Sequence, residues 1–440
     1  MNPALSLQQA PPLSVPMRFF VTAPVFGMAA GLLLLWVGPE ALASRWSPPT
    51  LALTHLAALG VLAMVMCGAL LQMLPVMAGV VLARPRLLAA FVHAMLAAGA
   101  LALAFAFLSL RPALFVAAAV LLGGAILVFL IAVGLALARA PQPGDSVRGM
   151  RWALFGLAMT AALGLPLALG HAAIGLPLWR FPATDVHLAW GLVGWVAMLV
   201  AVVSWQVVPM FQMTPAYPMP LRRALAGVLT VLLLWLSLAA WRGWPLAWLP
   251  ELLIAILLAI HAGLTLRLLS KRRRRHGDAS LRFWQLGMAA LLGASLLATA
   301  ARWLPAAASE RLAMAAAVLF IAGFAIPVVC AMLYKIVPFL VFLHLQQRIG
   351  ANPAARHRRF PPNMKTLLPE PGQRRHLWIH AAALVLTLAG LAWPPLLHGA
   401  GLAWLLAFAL LEAHLIAALR RHRAECRQID ACTGEPLPPE

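Results

Sequence analysis

The chain has 440 residues, is 63% hydrophobic and 10% charged, and has a mean hydropathy of +0.90. Soluble domains are about 25% charged, so this composition excludes a water-soluble globular protein and points to one whose partner is the lipid bilayer. A net charge of +21 would suit nucleic-acid binding, but the basic residues lie between long apolar runs and not on one soluble face, which excludes that class.

Residues 1–17 are polar and proline-containing, do not read as a cleavable signal peptide, and form an N-terminal segment. Twelve spans, each near the ~20 residues a bilayer core requires, are predicted after it. They cover 18–38, 50–76, 87–110, 112–138, 152–175, 185–210, 222–241, 245–269, 282–303, 312–343, 376–396 and 398–419. The expectation is an all-α polytopic membrane domain over 18–420, with one long Arg- and Pro-rich loop at 344–375 and a tail at 421–440. Cys67 and Cys330 fall inside spans, and Cys426 and Cys432 in the tail carry little metal-site signal.

The second span holds a motif that returns twice. It has His55 near its start, then Gln72 and Pro75 near its end. Span six repeats the order with His187, Gln206 and Pro209, and span ten ends on Lys335 and Pro338. The prolines lie 134 and then 129 residues apart, so the repeating unit is four spans and the chain reads as three related four-helix units. Phe91-Val92-His93-Ala94 opens span three and Trp378-Ile379-His380-Ala381 opens span eleven; His261 and Arg267 in span eight match His414 and Arg420 in span twelve. Proline at a span end removes a backbone donor and is expected to stop the helix there. The polar residue one turn earlier can bond the freed carbonyls or a neighbouring helix.

Basic residues set the expected orientation. With the N-terminus inside, 26 of the 33 Lys and Arg fall on the inner side and six on the outer, with Lys335 within span ten. That asymmetry predicts both termini in the cytoplasm, with the run Lys271–Arg275 anchoring topology, and the membrane expected is a bacterial-type inner membrane.

Ionisable groups inside spans mark functional positions by default. His55 and His187 are repeat-equivalent and both lie on the outer third, where each either ligates a haem or metal or hydrogen-bonds a neighbouring helix. His171, at the outer end of span five, joins that cluster or sits in the headgroup layer. His93, His261, His380 and His414 form a second set on the inner third, for a second centre, a proton relay or an interfacial structural role. His276, His357, His376 and His422 lie among loop arginines and receive no role. Lys335 either neutralises a cofactor carboxylate or reaches the interface, and Glu412, the deepest acid, is a pairing candidate for it.

Three four-span units with a histidine near the outer start of spans two and six resemble subunit I of the haem-copper oxidases. The resemblance implies a low-spin haem ligand at His55, a copper ligand at His187, a b-type haem, and respiratory chemistry. Span six reads His187-Leu188-Ala189 instead of the family's His-Pro-Glu, spans seven and ten contain no histidine, and no complete oxygen-reducing centre is expected. The chain is more similar to divergent relatives such as the NnrS-type proteins of the nitric-oxide response. The rival expectations are a multi-pass transporter of a small solute or metal, and an assembly or sensory partner of a respiratory oxidase.

Overall fold

The computed structural model describes residues 11–141, 143–172, 180–246, 248–273, 277–356 and 362–432. Their regular structure is helical throughout, and the protein is an all-α polytopic membrane protein. Eleven helices are long and apolar enough to span a bilayer; the twelfth, Glu370–Gly390, opens on polar turns. We number them α1 (Ser14–Val37), α2 (Pro48–His55 continuing through Leu56–Ala63 and Met64–Ala78), α3 (Pro85–Ser109) and α4 (Pro112–Ala138). The second unit is α5 (Asp145–Ala172), α6 (Arg180–Ala189, Trp190–Ala197, Met198–Gln212), α7 (Met219–Arg242) and α8 (Trp248–Ser270). The third is α9 (Ala279–Ala301), α10 (Ala306–Val318, Leu319–Ala325, Ile326–Ala351), α11 (Glu370–Gly390) and α12 (Leu396–Asp430).

Local chemistry sets many of the ends. Ser47 caps α2 by accepting from Thr50 N, with Pro48 in the first turn, and Asp278 caps α9 by accepting from Leu281 N at 3.0 Å. Gly79 and Gly243 follow α2 and α7 at φ of +66° and +64°, a backbone that closes a helix without a Cβ penalty.

The repeat prolines do not stop their helices. α2 and α6 continue to Ala78 and Gln212, and α10 continues to Ala351. A proline forfeits one helical hydrogen bond, and the turns on either side keep theirs when packing holds them. Buried Val341, Leu345 and Ile349, spaced by four, provide that packing in α10, which lies against α12. The expected loop 344–375 is helical over 344–351, 353–356, 364–367 and 370–375, and the tail 421–440 over 421–430. His276, His357, Arg274, Arg275, Arg358 and Arg359 lie outside the described residues.

Each unit's last helix packs on the first helix of the next: α4 on α5, α8 on α9, and α12 back on α1. Inside this closed order stand the second helices of the units. In the spanning windows of α2, α6 and α10, 72%, 56% and 72% of residues are buried, against 28–44% in the other eight long spans. Without a membrane-phase hydrophobic drive, such contacts depend on close approach and packing. Gly31 of α1 and Gly401 of α12 allow the two backbones to touch.

The three central helices share a deformation. Each turns π-helical for seven or eight residues, at Leu56–Ala63, Trp190–Ala197 and Leu319–Ala325. Each wide segment begins nineteen residues before the repeat proline and holds a glycine fifteen residues before it, Gly60, Gly194 or Gly323. Those glycines face the first helix of their own unit: Gly60 meets Phe26, Gly194 meets Gly156, and Gly323 meets Ala290. An inserted π turn re-aims the side chains around it and recurs at functional sites.

Candidate functional site

Two histidines flank the π segments of the first two units. His55 is the last α-helical residue before the wide turn of α2, and its Nδ1–H donates to Leu51 O at 2.8 Å. His187 stands three residues before the wide turn of α6, and its Nδ1–H donates across to Thr160 O of α5 at 3.0 Å. A carbonyl can only accept, so both rings carry their proton on Nδ1, and Nε2 is left as the lone-pair nitrogen. The rings come from different helices, yet their centres lie 6.5 Å apart with planes at 17°. Gly164 makes room for this: a Cβ there would lie 2.6 Å from His187 Cε1.

An aromatic wall continues the site. Phe107 of α3 lies 5.2 Å from His55 and 5.5 Å from His171, whose ring stacks on Phe115 at 4.9 Å. His171 thus lies at the same end of the spans as His55, with the Phe107 ring in contact with both. Among the described residues, the one group of three His, Cys or acidic side chains with ligand atoms close enough for a single ion lies elsewhere, at His344, His422 and Cys426.

Of the four residues expected as a second set, His93 and His261 have partners of their own, whereas His380 and His414 approach one junction. His93 pairs with Thr22 Oγ1 at 2.8 Å beside Phe19, and His261 stacks on Tyr217 at 5.8 Å. His380 donates from Nε2 to Ala322 O at 3.0 Å and sits edge-on to Trp404. His414 meets Tyr334, whose hydroxyl lies 2.9 Å from His414 Nδ1 and 2.9 Å from His376 Nδ1. His376, assigned no role from its arginine-rich surroundings, is fully buried at this junction, and its ring lies 6.0 Å from that of His380. The four-residue spacing of His376 and His380 on one helix face was the available signal. Tyr334 carried none.

The polar span-end positions diverge too. Lys335 pairs with Asp278 at 2.5 Å, which removes Glu412 as its partner; Glu412 Oε2 is buried and unbonded among the described residues. Gln72 is buried with an unbonded Oε1, whereas Gln206 is half-buried. At the opposite ends of the spans, Arg45 pairs with Asp185, and Arg302 with Glu251 at 2.7 Å. A cavity of about 70 Å³ lies among the three central helices, lined by Val65, Met66, Val200, Val203, Val328 and Met332. A second, of about 130 Å³, lies between α1, α2, α10 and α12 beside Gly31, Thr54, Val318 and Phe408. Both are apolar. No protein-family model and no curated protein matches the chain.

Proposed function

We propose that the protein binds haem in the membrane through His55 and His187, in an architecture similar to subunit I of the haem-copper oxidases, and serves respiratory or nitric-oxide-stress physiology. The observation that carries this reading is the histidine pair itself. Two neutral imidazoles from repeat-equivalent helices each have Nδ1 held by a carbonyl and Nε2 unbonded among the described residues. Ligating histidines have this support on their other nitrogen, which sets the tautomer and the ring direction. The two rings, from different helices, are also near neighbours, with centres 6.5 Å apart and planes at 17°.

Haem would supply one-electron chemistry or gas binding at this position. The chain's own residues orient the two imidazoles and exclude water through the Phe107 and Phe115 rings. Copper at His187, with His171 as a further ligand, is the variant of the reading in which that imidazole serves a separate ion. The 26-to-6 distribution of basic residues supports both termini being cytoplasmic, which in a bacterial-type inner membrane puts the pair on the periplasmic side. Partnership with another respiratory membrane protein belongs to the same reading.

Detergent-purified protein should show a Soret band and a reduced-minus-oxidised α-band. His55→Ala should diminish both, and His276→Ala should leave them unchanged. Colourless protein after expression with ample haem, with no uptake on reconstitution, would overturn the proposal.

A further inference from the structure

The ends of α10 and α12 run on together past the apolar core, and their facing residues form a ladder. Arg348 grips Asp430 through both carboxylate oxygens at 2.9 and 3.0 Å, and Asn352 Nδ2 donates to Ile429 O at 2.9 Å. One to two turns nearer the core, three metal-ligating side chains meet. His344 Nδ1 lies 2.7 Å from His422 Nε2, and Cys426 Sγ lies 3.4 Å from the same nitrogen. All three ligand atoms fall within 4.8 Å of one another, and each side chain is half-buried.

We infer that His344, His422 and Cys426 form a binding site for a thiophilic metal ion, Zn(II) or Cu(I), that ties the projecting end of α10 to that of α12. His422 and Cys426 are four residues apart on α12, the spacing that presents two ligands on one helix face. His344 supplies the third from a second helix that the Arg348–Asp430 pair already holds in register. Two imidazoles and a thiolate suit soft or borderline cations and not Mg(II) or Ca(II). Around Zn(II), nitrogens at about 2.0–2.1 Å and sulfur at about 2.3 Å stand roughly 3.3–3.6 Å from one another. The ion therefore asks His344 and His422 to part by roughly half an ångström and leaves a fourth position to water. Binding converts the Cys426 thiol to a metal thiolate and releases its proton to solvent; no oxidant or reductant takes part. The site is distinct from the His55–His187 pair, at the other end of the spans.

The test uses the full chain in detergent, stripped with chelator and kept reduced. It is loaded with Zn(II), or with Cu(I) without oxygen, then desalted and counted for metal. About one ion per chain is expected for at least one of the two metals. Cys426→Ser and His422→Ala should lose it, whereas Cys432→Ser and the double variant His55→Ala/His187→Ala should keep it. A measurement on the unsubstituted chain guards against variants that fail to fold: bound metal should slow alkylation of Cys426 at least tenfold and leave Cys432 unchanged. Retention of neither metal, equal retention by the variants, or alkylation of Cys426 indifferent to metal would each overturn the inference.

Discussion

Four histidines of this molecule differ in what holds Nδ1. In His55 and His187 a backbone carbonyl takes the Nδ1 proton, and Nε2 stays basic. In His376 and His414 a shared phenol takes that place: Tyr334 Oη lies 2.9 Å from each Nδ1 and has only one proton to donate, so at least one of the two rings carries its proton on Nδ1. Removing that hydroxyl takes a partner from the buried His376 and from the half-buried His414, at about 1–3 kcal/mol for an unsatisfied buried group. Tyr334→Phe should therefore lower the unfolding midpoint in detergent clearly more than Ser109→Ala, whose exposed hydroxyl bonds only Phe105 O. Equal midpoints would remove the phenol from its bridging role. The Lys335–Asp278 pair, with side chains 20% and 15% exposed, makes a second prediction. Asp278→Ala loses the α9 cap, typically about 1 kcal/mol, as well as the ion pair. It should destabilise more than Lys335→Met, and the double variant should show a coupling that a double-mutant cycle can read.

At the scale of the element, the recurring device is the wide π turn of α2, α6 and α10 with its glycine against the unit's first helix. The tightest approach is Gly156 of α5 against the backbone of Gly194, where a Cβ would overlap the carbonyl. Backbone cannot swing aside as a side chain can. Gly156→Ala should reduce the yield of monodisperse protein sharply. Gly134→Ala should be neutral or slightly stabilising, since a Cβ there meets nothing within 4 Å and alanine favours the helix. Similar yields for the two would show that α5 and α6 can separate freely.

For the whole molecule, the alternation of twelve helices makes the ends testable by topology. Under the proposed orientation, reporter fusions after Arg275 and Arg359 should behave as cytoplasmic and a fusion at Arg180 as periplasmic. An external readout after Arg275 would reverse the proposed sides and leave the packing unchanged. The cyclic contact order, α4 on α5, α8 on α9 and α12 on α1, follows a three-unit arrangement and places α2, α6 and α10 inside.

Much of this was written in the chain and some was not. Apolar runs of bilayer length dictate a polytopic helical protein whatever their neighbours are, because lipid forces each backbone to satisfy itself. The prolines at a near-constant interval, each preceded by Gln72, Gln206 or Lys335, likewise revealed the units, and the first two copies brought His55 and His187 forward, since repetition is a property of the string. Tertiary packing decided the rest. The prolines read as helix ends, yet helix α10 passes Pro338 because buried Val341, Leu345 and Ile349 hold the next turns. His376, at the first position of span eleven, read as a neighbour of loop arginines with no role, yet it is buried against Tyr334, 42 positions earlier. His344 and Cys426 lie 82 positions apart, and only the crossing of two projecting helices brings them together. A side chain's environment is set by what folds against it, and contacts between distant segments leave no periodic trace in either one.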